Sequence, residues 1–426
     1  MNHYDLSQNK RTAEVLSWQN KTGNPQRSLR LIAVTGTNGK TSVSTLLAEL
    51  LRKSGEKTGL IGTVSCSDGK TETASSYTTP PPAILYPLLA EMQKNGVTTV
   101  IMEASSHALA QERLFGLPFD LAIFTNLTRD HLDYHGTREA YLAAKAKLFT
   151  AAHRSLINAD DSAAKEIAFH AAGDVYYCSA SDPHAEFVIE HPLCTEDGIS
   201  LSLRTMVETI SVQAPLFGAF NVDNLSQAVA AAYLLGIPKE NIEKAATSLC
   251  APLGRLEKLP NTGDISVFID YAHTPDALEK ALTALRPHTE KLTVLFGAGG
   301  DRDHGKRAEM GRIAELYADF AIVTDDNPRS ESPEDIRRDI LSGMKKENHV
   351  TLPDRKDAIT HAVFSAVPGE TLLLAGKGHE EYIIDRNGRH DFSERKIVAD
   401  AIERRNSNQK GPYYVPYVRK NRPHDP

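Results

Sequence analysis

Short apolar runs alternate with helix-length segments along most of the chain. In the first, residues 31–34 read Leu-Ile-Ala-Val, a glycine-rich turn follows, and Leu46, Leu47, Leu50 and Leu51 recur at helical spacing. This order is typical of a strand, a loop and a helix. Further short apolar runs lie at 97–102, 121–124, 155–157, 266–269, 292–296, 320–323 and 371–375. Because strands that alternate with helices form βαβ units around a parallel sheet, the pattern predicts an α/β fold.

The pattern changes at two places that divide the chain. Between about 174 and 213, strand-like runs follow one another without helices, which predicts a β insertion or an edge meander. A second α/β series begins after a break near 252, at the end of a helical stretch over 224–249. We therefore predict a P-loop-type, mostly parallel central sheet domain with a β insertion, and a C-terminal Rossmann-like α/β domain. The predicted segments are a short N-terminal segment at 1–30, the central domain at 31–252, the C-terminal domain at 253–408 and a polar, tyrosine-containing tail at 409–426.

The composition narrows the classes of function. With 426 residues, the chain is too long for one core, so two or three domains are expected. Its formal net charge of −7 and scattered basic residues give no nucleic-acid footprint. The longest apolar stretch, around 228–237, is far shorter than the ~20 residues of a membrane span, and the N-terminus has no signal pattern. The four cysteines lie far apart without CxxC spacing, which argues against a zinc site or disulfides and favours the cytoplasm.

The turn after the first strand has the chemistry of a phosphate cradle. Its residues are Thr35, Gly36, Thr37, Asn38, Gly39, Lys40 and Thr41. The glycines let backbone N–H groups approach phosphate oxygens, and the helix N-terminus adds a positive field. Lys40 would reach the terminal phosphates and Thr41 would ligate Mg²⁺. The alternative is a glycine-rich turn that binds nothing, but a buried strand running into Gly-Lys-Thr at a helix start favours ATP binding.

This loop resembles that of Mur ligases and folylpolyglutamate synthetases, and segments downstream narrow the resemblance. They are TTP at 78–80, MEASSHAL at 102–109, FTNL at 124–127, RDHLDYHG at 129–136, YLAAK at 141–145, GAFN at 218–221, GR at 254–255, DYAHTP at 270–275, GGDRD at 299–303, DNPR at 326–329 and GKGHE at 376–380. In this order they resemble the UDP-N-acetylmuramoyl-tripeptide synthetase (MurE-type) branch of the Mur ligase family. The resemblance implies an ATP-dependent, ADP-forming ligase that makes an amide bond.

The resemblance also implies catalytic residues. In this family the acceptor carboxylate attacks the γ-phosphate of ATP to give an acyl phosphate, and an amine then displaces phosphate. Since carboxylate and phosphate repel, charge neutralisation and alignment do most of the work, and two Mg²⁺ ions meet that need. By resemblance, Thr41 and Glu103 hold one ion, while His131 and Lys145 serve the second.

In this family, the lysine at the position of Lys145 reacts with CO₂ to form a carbamate, which turns it into a carboxylate-like anion. From spacing alone, Lys145 would instead be a solvated helix lysine, and Glu103 equally a helix cap. The predicted catalytic residues are Lys40, Glu103, His131 and Lys145.

Nucleotide contacts are implied in both domains. Asn221 and His273 resemble residues that contact adenine, whereas Arg255 and Asp270 resemble contacts to phosphate and ribose. ATP would then lie between the domains, and domain closure would assemble the site.

Two further sets of residues resemble substrate contacts. An acceptor with a glutamate-like carboxylate would be held by Thr78, Thr79, Ser105, Gln111 and Arg113, since the planar fork of arginine suits a carboxylate. The amino-acid nucleophile, meso-diaminopimelate or a similar diamino acid, would contact Arg307, Asp326, Asn327, Arg329, Gly376 and Glu380. Arg329 would grip the distal carboxylate and Glu380 would pair with the distal ammonium. Asp-Asn-Pro-Arg alone is also compatible with a turn that carries a solvated arginine.

The front of the sequence departs from the family, which normally has an N-terminal domain that grips the uridine nucleotide. About 30 polar residues, with a short helix predicted around 11–18, precede the phosphate strand, fewer than the ~40 residues of a packed domain. The acceptor is therefore open: UDP-MurNAc-L-Ala-D-Glu, or a smaller, non-nucleotide molecule ending in glutamate from a specialised-metabolite or recycling pathway.

Two other classes stay open as alternatives. Segments 326–329 and 376–380 argue against a folylpolyglutamate-synthetase-like ligase. An intact set of catalytic and metal-binding residues argues against a non-catalytic ATP-binding partner of another ligase. The set consists of Lys40, Thr41, Glu103, His131 and Lys145. The sequence leaves the oligomeric state open.

Overall fold

The structure is a computed structural model that describes residues 3–195 and 198–407. The chain forms two compact units, one ending at Pro252 and the other beginning at Leu253. The predicted tail at 409–426, with Tyr413, Tyr414 and Tyr417, lies outside the described residues. Within the described ranges, no helix is long and apolar enough to cross a membrane.

The N-terminal unit is built on one sheet of eleven strands with helices on both faces. Its strands are β1 (Arg30–Thr35), β2 (Thr58–Ile61), β3 (Ser65–Ser67), β4 (Glu72–Ala74), β5 (Thr99–Glu103), β6 (Leu121–Phe124), β7 (Arg154–Asn158), β8 (Asp174–Ser179), β9 (Phe187–Thr195), β10 (Gly198–Arg204) and β11 (Thr209–Ala214). Its helices are α1 (His3–Thr22), α2 (Lys40–Lys53), α3 (Pro82–Lys94), α4 (Ser106–Ala110), α5 (Leu132–His135), α6 (Arg138–Ala146), α7 (Ala164–Phe169), α8 (Phe220–Leu234) and α9 (Lys239–Ala246). The strand order is β11-β10-β9-β8-β7-β6-β1-β5-β2-β3-β4.

The position of β1 within the sheet explains why its residues 31–34 are all apolar. It pairs in parallel with β5 on one side and β6 on the other, so it lies inside the sheet. Ile32 and Val34 pack into the core on one face, whereas Leu31 and Ala33 pack into the core on the other. A strand covered on both faces reads as a continuous apolar run rather than an alternating one.

The predicted mostly parallel sheet is confirmed, and the segment at 174–213 extends it as an edge meander. β8 and β9 continue the sheet in parallel, and β10 and β11 then add antiparallel strands. At the opposite edge, β3 and β4 form a hairpin that the apolar pattern did not predict. All three residues of β4 are exposed, so this strand lacks the hydrophobic face that makes a strand visible in a sequence.

The C-terminal unit has a second sheet, in the order β12-β13-β17-β14-β15-β16, and a two-stranded hairpin. Its strands are β12 (Glu257–Lys258), β13 (Ser266–Asp270), β14 (Leu292–Phe296), β15 (Phe320–Val323), β16 (His349–Thr351), β17 (Thr371–Ala375), β18 (Tyr382–Asp385) and β19 (Gly388–Asp391). Its helices are α10 (Pro275–Leu285), α11 (Gly305–Tyr317), α12 (Pro333–Leu341), α13 (Arg355–Ser365) and α14 (Glu394–Asn406). Strands β13 to β17 pair in parallel, which confirms the predicted second α/β domain fold.

The carboxyl ends of the parallel strands place the candidate residues in each unit. β5 ends at Glu103 beside the start of the phosphate loop, because Val34 of β1 pairs with Glu103. β6 ends at Phe124 on the other side of β1, next to Thr35. Loops that leave neighbouring parallel strands converge at one edge, where open α/β sheets bind their ligands.

Candidate functional site

Hydrogen bonds from both main chain and side chains hold the phosphate loop against the loop that follows β6. The Thr37 amide donates to the carbonyl of Asn126 (2.9 Å), and the Asn38 amide donates to Asn126 Oδ1 (2.9 Å). The Thr125 hydroxyl donates to the carbonyl of Asn38 (2.6 Å). Lys40 Nζ donates to the carbonyls of Gly36 and Thr37, both at 2.9 Å. The loop conformation is therefore fixed by the protein itself, with Lys40 folded over it.

The two loop glycines lie where side chains would collide with neighbours. A Cβ on Gly36 would lie 1.8 Å from Thr125 Oγ1, and one on Gly39 would lie 2.4 Å from Asn224 Oδ1. Gly39 also has a positive φ of 85° as α2 begins. Glycine at both positions therefore lets the loop pack closely against Thr125 and Asn224, and a glycine-rich loop that leads into a helix N-terminus is suited to bind phosphate.

Asn221 lies on α8, which packs against this loop. Its Oδ1 accepts from Asn224 Nδ2 at 3.0 Å, and its Nδ2 donates to the carbonyl of Phe217 at 2.6 Å. Asn221, the predicted adenine contact, is therefore connected to the phosphate loop through Asn224, which packs against Gly39. Asn224 was not predicted, because an asparagine within an apolar helix carries no motif.

Glu103 is a buried carboxylate held by hydroxyl groups at the end of β5. Only 1% of the surface of this residue is exposed. Oε2 accepts from Thr41 Oγ1 (3.0 Å) and from Thr63 Oγ1 (2.9 Å), while Oε1 accepts from the Thr63 amide (2.7 Å). Hard oxygen donors from threonine and glutamate, side by side at a phosphate loop, are chemically suited to Mg²⁺. Thr63 is a site residue that the sequence did not indicate, since it follows a strand of only four residues.

Lys145 is buried in α6, with 1% of the residue exposed. Its Nζ donates to the carbonyl of Gly36 (2.8 Å) and lies 4.4 Å from the centre of the Tyr141 ring. Burial and the nearby charge of Lys40 hold the pKa of Lys145 well below its ordinary value. The alternative that spacing alone favoured, a solvated helix lysine, is therefore excluded, because this side chain is buried and points into the phosphate loop.

His131 belongs to a group of aromatic rings close to Lys145. Its ring centroid lies 4.8 Å from His107 and 6.2 Å from Tyr141, the residue over which Lys145 lies. His131 has φ 54°, a left-handed backbone conformation that is uncommon outside glycine and is concentrated at functional sites. In residues 3–195 and 198–407, no cluster of three or more His, Cys, Asp or Glu side chains forms a complete metal site.

The predicted acceptor contacts form one connected set around Thr79. Thr79 Oγ1 donates to the carbonyl of Glu103 (2.7 Å) and accepts from the amide of Ser105 (3.0 Å). Arg113 donates to the carbonyl of Thr79 (2.7 Å) and to Gln111 Oε1. The set is therefore joined to the main chain of Glu103, the residue whose carboxylate lies beside the phosphate loop.

Thr78, the remaining predicted acceptor contact, is joined through Thr63 to the side-chain carboxylate of Glu103. Its Oγ1 lies 3.0 Å from the Thr63 hydroxyl, and Thr63 in turn bonds Glu103. The five predicted acceptor contacts therefore form one group in the N-terminal unit.

In the C-terminal unit, Arg255, Asp270 and His273 lie together around Tyr271. The Arg255 guanidinium lies 4.9 Å from the Tyr271 ring centre, and the His273 ring centre lies 4.6 Å from it. Burial raises the pKa of Asp270 to about 6, although Arg255 and the amides of Leu256 and Ala272 act in the opposite direction. A carboxylate held by two amides has a fixed direction, which suits a hydrogen bond to a ligand hydroxyl.

The two loops predicted to bind the amino acid meet in this unit. Asn327 Nδ2 donates to Glu380 Oε2 (2.8 Å), and Lys377 Nζ donates to Asn327 Oδ1 (3.1 Å). Asp326 packs against Gly376, where a Cβ would lie 2.6 Å from Asp326 Oδ2. Segments 326–329 and 376–380 therefore form one cluster, and Lys377, which the sequence did not single out, lies at its centre.

Arg329 and Arg307 are placed differently. Arg329 is half-buried with φ 52°, and its Nη1 donates to the carbonyl of Gly300 (2.7 Å). Arg307 is fully buried and pairs with Glu331 (2.8 Å) and with Asp339 (2.9 Å). The guanidinium of Arg307 is thus neutralised within the protein, whereas no described carboxylate forms an ion pair with Arg329.

The chain matches two family descriptions in sequence. Residues 34–232 match the Mur ligase middle domain, and residues 254–378 match the Mur ligase, glutamate ligase domain. It is 45% identical over 377 residues, 87% of this chain and 77% of the relative, to a UDP-N-acetylmuramoyl-L-alanyl-D-glutamate–2,6-diaminopimelate ligase of Pseudomonas aeruginosa. It is 40% identical over 390 residues, 90% of this chain and 80% of the relative, to the enzyme of the same name in Halalkalibacterium halodurans.

Solved structures agree in fold. A structure of a UDP-N-acetylmuramoyl-L-alanyl-D-glutamate–2,6-diaminopimelate ligase superposes with a TM-score of 0.65 at 36% identity, covering 89% of this chain and 79% of that one. A Mycobacterium tuberculosis folylpolyglutamate synthase complexed with ADP superposes with a TM-score of 0.71 at 18% identity, covering 91% and 93%. The second likeness concerns the fold alone.

A phosphate loop on a parallel sheet, together with these matches, defines an ATP-dependent ligase that forms amide bonds. The chain belongs to the Mur ligase family, and the relatives named above are of the MurE type. This confirms the family and the enzyme class that the sequence motifs predict.

Proposed function

We propose that this ligase adds meso-diaminopimelate, or a similar diamino acid, to the glutamate carboxylate of UDP-MurNAc-L-Ala-D-Glu. The observation that carries the proposal is the contact of segments 326–329 and 376–380, which brings Asn327 and Glu380 to 2.8 Å. Together they offer a carboxylate, an amide and the Arg329 guanidinium, which suit the ammonium and carboxylate groups at one end of a diamino acid. The names of relatives at 40–45% identity support the same substrates.

For the first step, we propose that the phosphate loop aligns ATP. Gly36 to Thr41 would bind the phosphates, with Lys40 turning from the loop carbonyls to the terminal phosphate. Thr41 and Glu103 would hold one Mg²⁺, whose charge offsets the repulsion between γ-phosphate and acceptor carboxylate. An acceptor carboxylate oxygen then attacks phosphorus, the bond to the β–γ bridging oxygen breaks, and ADP leaves.

Lys145 is proposed to be carbamylated. As a neutral amine, Nζ can attack the carbon of CO₂, form a C–N bond and release one proton to solvent, which leaves a carbamate anion. The carbamate and His131 would supply the second Mg²⁺ site. The low pKa, the burial of the amine and its 2.8 Å contact with Gly36 of the phosphate loop support this role.

The second step requires the acceptor and the amine to be held in place. Thr78, Thr79, Ser105, Gln111 and Arg113 would hold the acceptor next to Glu103. The amino group of the diamino acid then attacks the acyl carbon, the C–O bond to phosphate breaks, and the amine loses its proton to solvent. Arg329 would grip the distal carboxylate and Glu380 the distal ammonium.

The C-terminal unit is proposed to add nucleotide contacts through Arg255, Asp270 and His273. The four sequence segments predicted above, and the cytoplasm as the place of action, belong to the same proposal. Arg307 is proposed as an amino-acid contact on sequence grounds only. Its pairing with Glu331 and Asp339 favours a supporting role.

An acceptor screen tests the function and its alternative. UDP-MurNAc-L-Ala-D-Glu and fragments without the nucleotide are each incubated with ATP, Mg²⁺ and meso-diaminopimelate, and products are read by mass. We expect a product whose mass equals acceptor plus diaminopimelate minus water. Turnover of the fragments alone would favour a smaller, non-nucleotide acceptor, and tight ATP binding without any product would contradict a ligase role.

A further inference from the structure

Arg355, at the start of α13, is buried and donates hydrogen bonds to two backbone carbonyls that lie in different loops or strand ends. Its side chain is fully buried. Nη2 donates to the carbonyl of Ala375 (2.8 Å), and Nη1 donates to the carbonyl of Asp325 (3.3 Å). Nε donates to Glu394 Oε1 (2.8 Å), a carboxylate on α14 that is itself only 1% exposed. All three nitrogen atoms of the guanidinium therefore have partners.

The two carbonyls lie immediately before the two amino-acid loops. Asp325 precedes segment 326–329, and Ala375 is the last residue of β17 before segment 376–380. These backbone positions are 50 residues apart in sequence (375 − 325), and one side chain fixes the distance between them. A planar guanidinium fork has the geometry to donate in two directions, which an ammonium on a flexible chain does not reproduce.

The same guanidinium also fixes a charge inside the cluster. Arg355 Nη1 lies 3.9 Å from Asp326 Oδ2, and Lys377 Nζ lies 3.9 Å from Asp326 Oδ1. Asp326 is therefore held between two buried cations, against Gly376. Lys377 extends the network to Glu380 at 3.5 Å.

We propose that Arg355 is a positioning residue that sets the spacing of segments 326–329 and 376–380, and with it the affinity for the amino acid. The proposal rests on the proposed function, because it assigns these segments to the amino-acid site. Arg355 itself touches neither substrate nor nucleotide in this role. Its effect reaches the substrate only through the loops.

Arg405 provides a matched control in the same unit. It donates to the carbonyls of Val363 and Ala366 and to the carboxylate of Asp264, so it too joins two backbone carbonyls and one acid. These contacts lie at the ends of α13 and α14 rather than at either amino-acid loop. Arg355→Lys and Arg405→Lys thus remove the same kind of fork from two different places.

Steady-state kinetics of the full chain, with each substrate varied in turn, test the proposal. We expect Arg355→Lys to raise the KM for the diamino acid about 10-fold to 100-fold, with the KM for ATP unchanged. Arg405→Lys should leave both KM values unchanged. A lower kcat with an unchanged KM for the diamino acid would indicate only a smaller folded fraction and would overturn the proposal.

A second variant and a second readout cover the other outcomes. If Arg355→Lys does not fold, Glu394→Gln keeps the shape of the partner and should raise the same KM by a smaller factor; no change would overturn the proposal. If the wild-type chain does not use diaminopimelate, the proposed function fails, and hydrogen exchange then decides on Arg355. Segments 326–329 and 376–380 should exchange faster in the Arg355 or Glu394 variant than in Arg405→Lys, and equal exchange would contradict the role.

Discussion

The two units each bury a lysine beside a candidate substrate loop, but the two lysines differ in the charged groups that contact them. Lys145 contacts the carbonyl of Gly36, has Lys40 nearby, and forms no ion pair with a described carboxylate. Lys377 lies within 4 Å of both Asp326 and Glu380 and bonds Asn327. Burial lowers the pKa of both lysines. At Lys145 the charge of Lys40 adds to the shift and only Asp130 opposes it, whereas at Lys377 several carboxylates, Asp326 and Glu380 among them, oppose it.

The difference separates a reactive lysine from a structural one. A buried amine next to another cation is most stable without its proton, and a neutral amine is the form that reacts with CO₂. Carboxylates on both sides of a buried ammonium stabilise its charged form, and the ammonium in turn holds those neighbours in place. Burial alone does not determine the role of a lysine; the charges that surround it do.

Replacement of each lysine by methionine tests this contrast in stability. We expect Lys377→Met to lower the free energy of unfolding by about 3–5 kcal/mol, because Asp326 and Glu380 lose their buried partner. Lys145→Met should cause little loss, because no described carboxylate forms an ion pair with this buried amine and only the charge of Asp130 favours its protonated form. Urea denaturation in CO₂-free buffer measures both. Equal losses in the two variants would remove the distinction.

Removal of Lys145 should have a large effect on activity, in contrast to its small expected effect on stability. Lys145→Ala should lower kcat about 10²–10³-fold, because a group that stabilises developing charge is lost. Added acetate or propionate should restore part of the rate by replacing the carbamate. Lys147→Ala is the matched control, since Lys147 is exposed and pairs with Glu112 at 3.5 Å. Full activity of Lys145→Ala would exclude the carbamate role.

Removal of Arg329 should sharpen the assignment of the C-terminal cluster. Arg329→Ala should raise the KM for meso-diaminopimelate about 10-fold to 100-fold, the value of one or two charge-assisted hydrogen bonds. Lysine, which has no distal carboxylate, should be affected less. Arg338→Ala, on the exposed face of α12, should change neither KM. An equal loss for both amino acids would argue against the distal-carboxylate contact.

The smallest expected effect is a pH dependence of nucleotide affinity. Burial raises the pKa of Asp270 from 3.8 to about 6. Below about pH 6 the carboxyl is protonated, so the KM for ATP should rise several-fold as the pH falls, and Asp270→Asn should abolish this dependence. Because the folded state binds this proton more tightly than the unfolded state does, the contribution of Asp270 to stability decreases as the pH rises from 3.8 to 6.

The fold was predictable where both faces of a strand are buried. Every short apolar run that was predicted to be a strand is one, because the sheets are covered by helices on both sides. Hairpins β3–β4 and β18–β19 were missed, because their residues are mostly half-buried or exposed and carry no apolar run. The helix predicted around 11–18 lies within α1, which is longer than predicted and contacts α3.

The candidate site was predictable where a residue belongs to a motif at a strand end. Glu103, at the end of β5, follows this rule, whereas Lys145 belongs to a motif on helix α6, and the structure brings both to the phosphate loop. Thr63 and Arg355 belong to no motif, and Lys377 lies within the motif at 376–380 without having been singled out. The roles of all three come from contacts between segments distant in sequence. Such contacts depend on how strands are ordered in the sheet, which no local pattern specifies.

The contrast between the two lysines is tested most directly by ¹³C NMR of the chain equilibrated with ¹³C-labelled bicarbonate at neutral pH. We predict one carbamate signal in the wild-type chain, the same signal in Lys377→Met, and none in Lys145→Ala. Absence of the signal from the wild-type chain, or its persistence in Lys145→Ala, would contradict the assignment of Lys145 as a neutral, CO₂-binding amine.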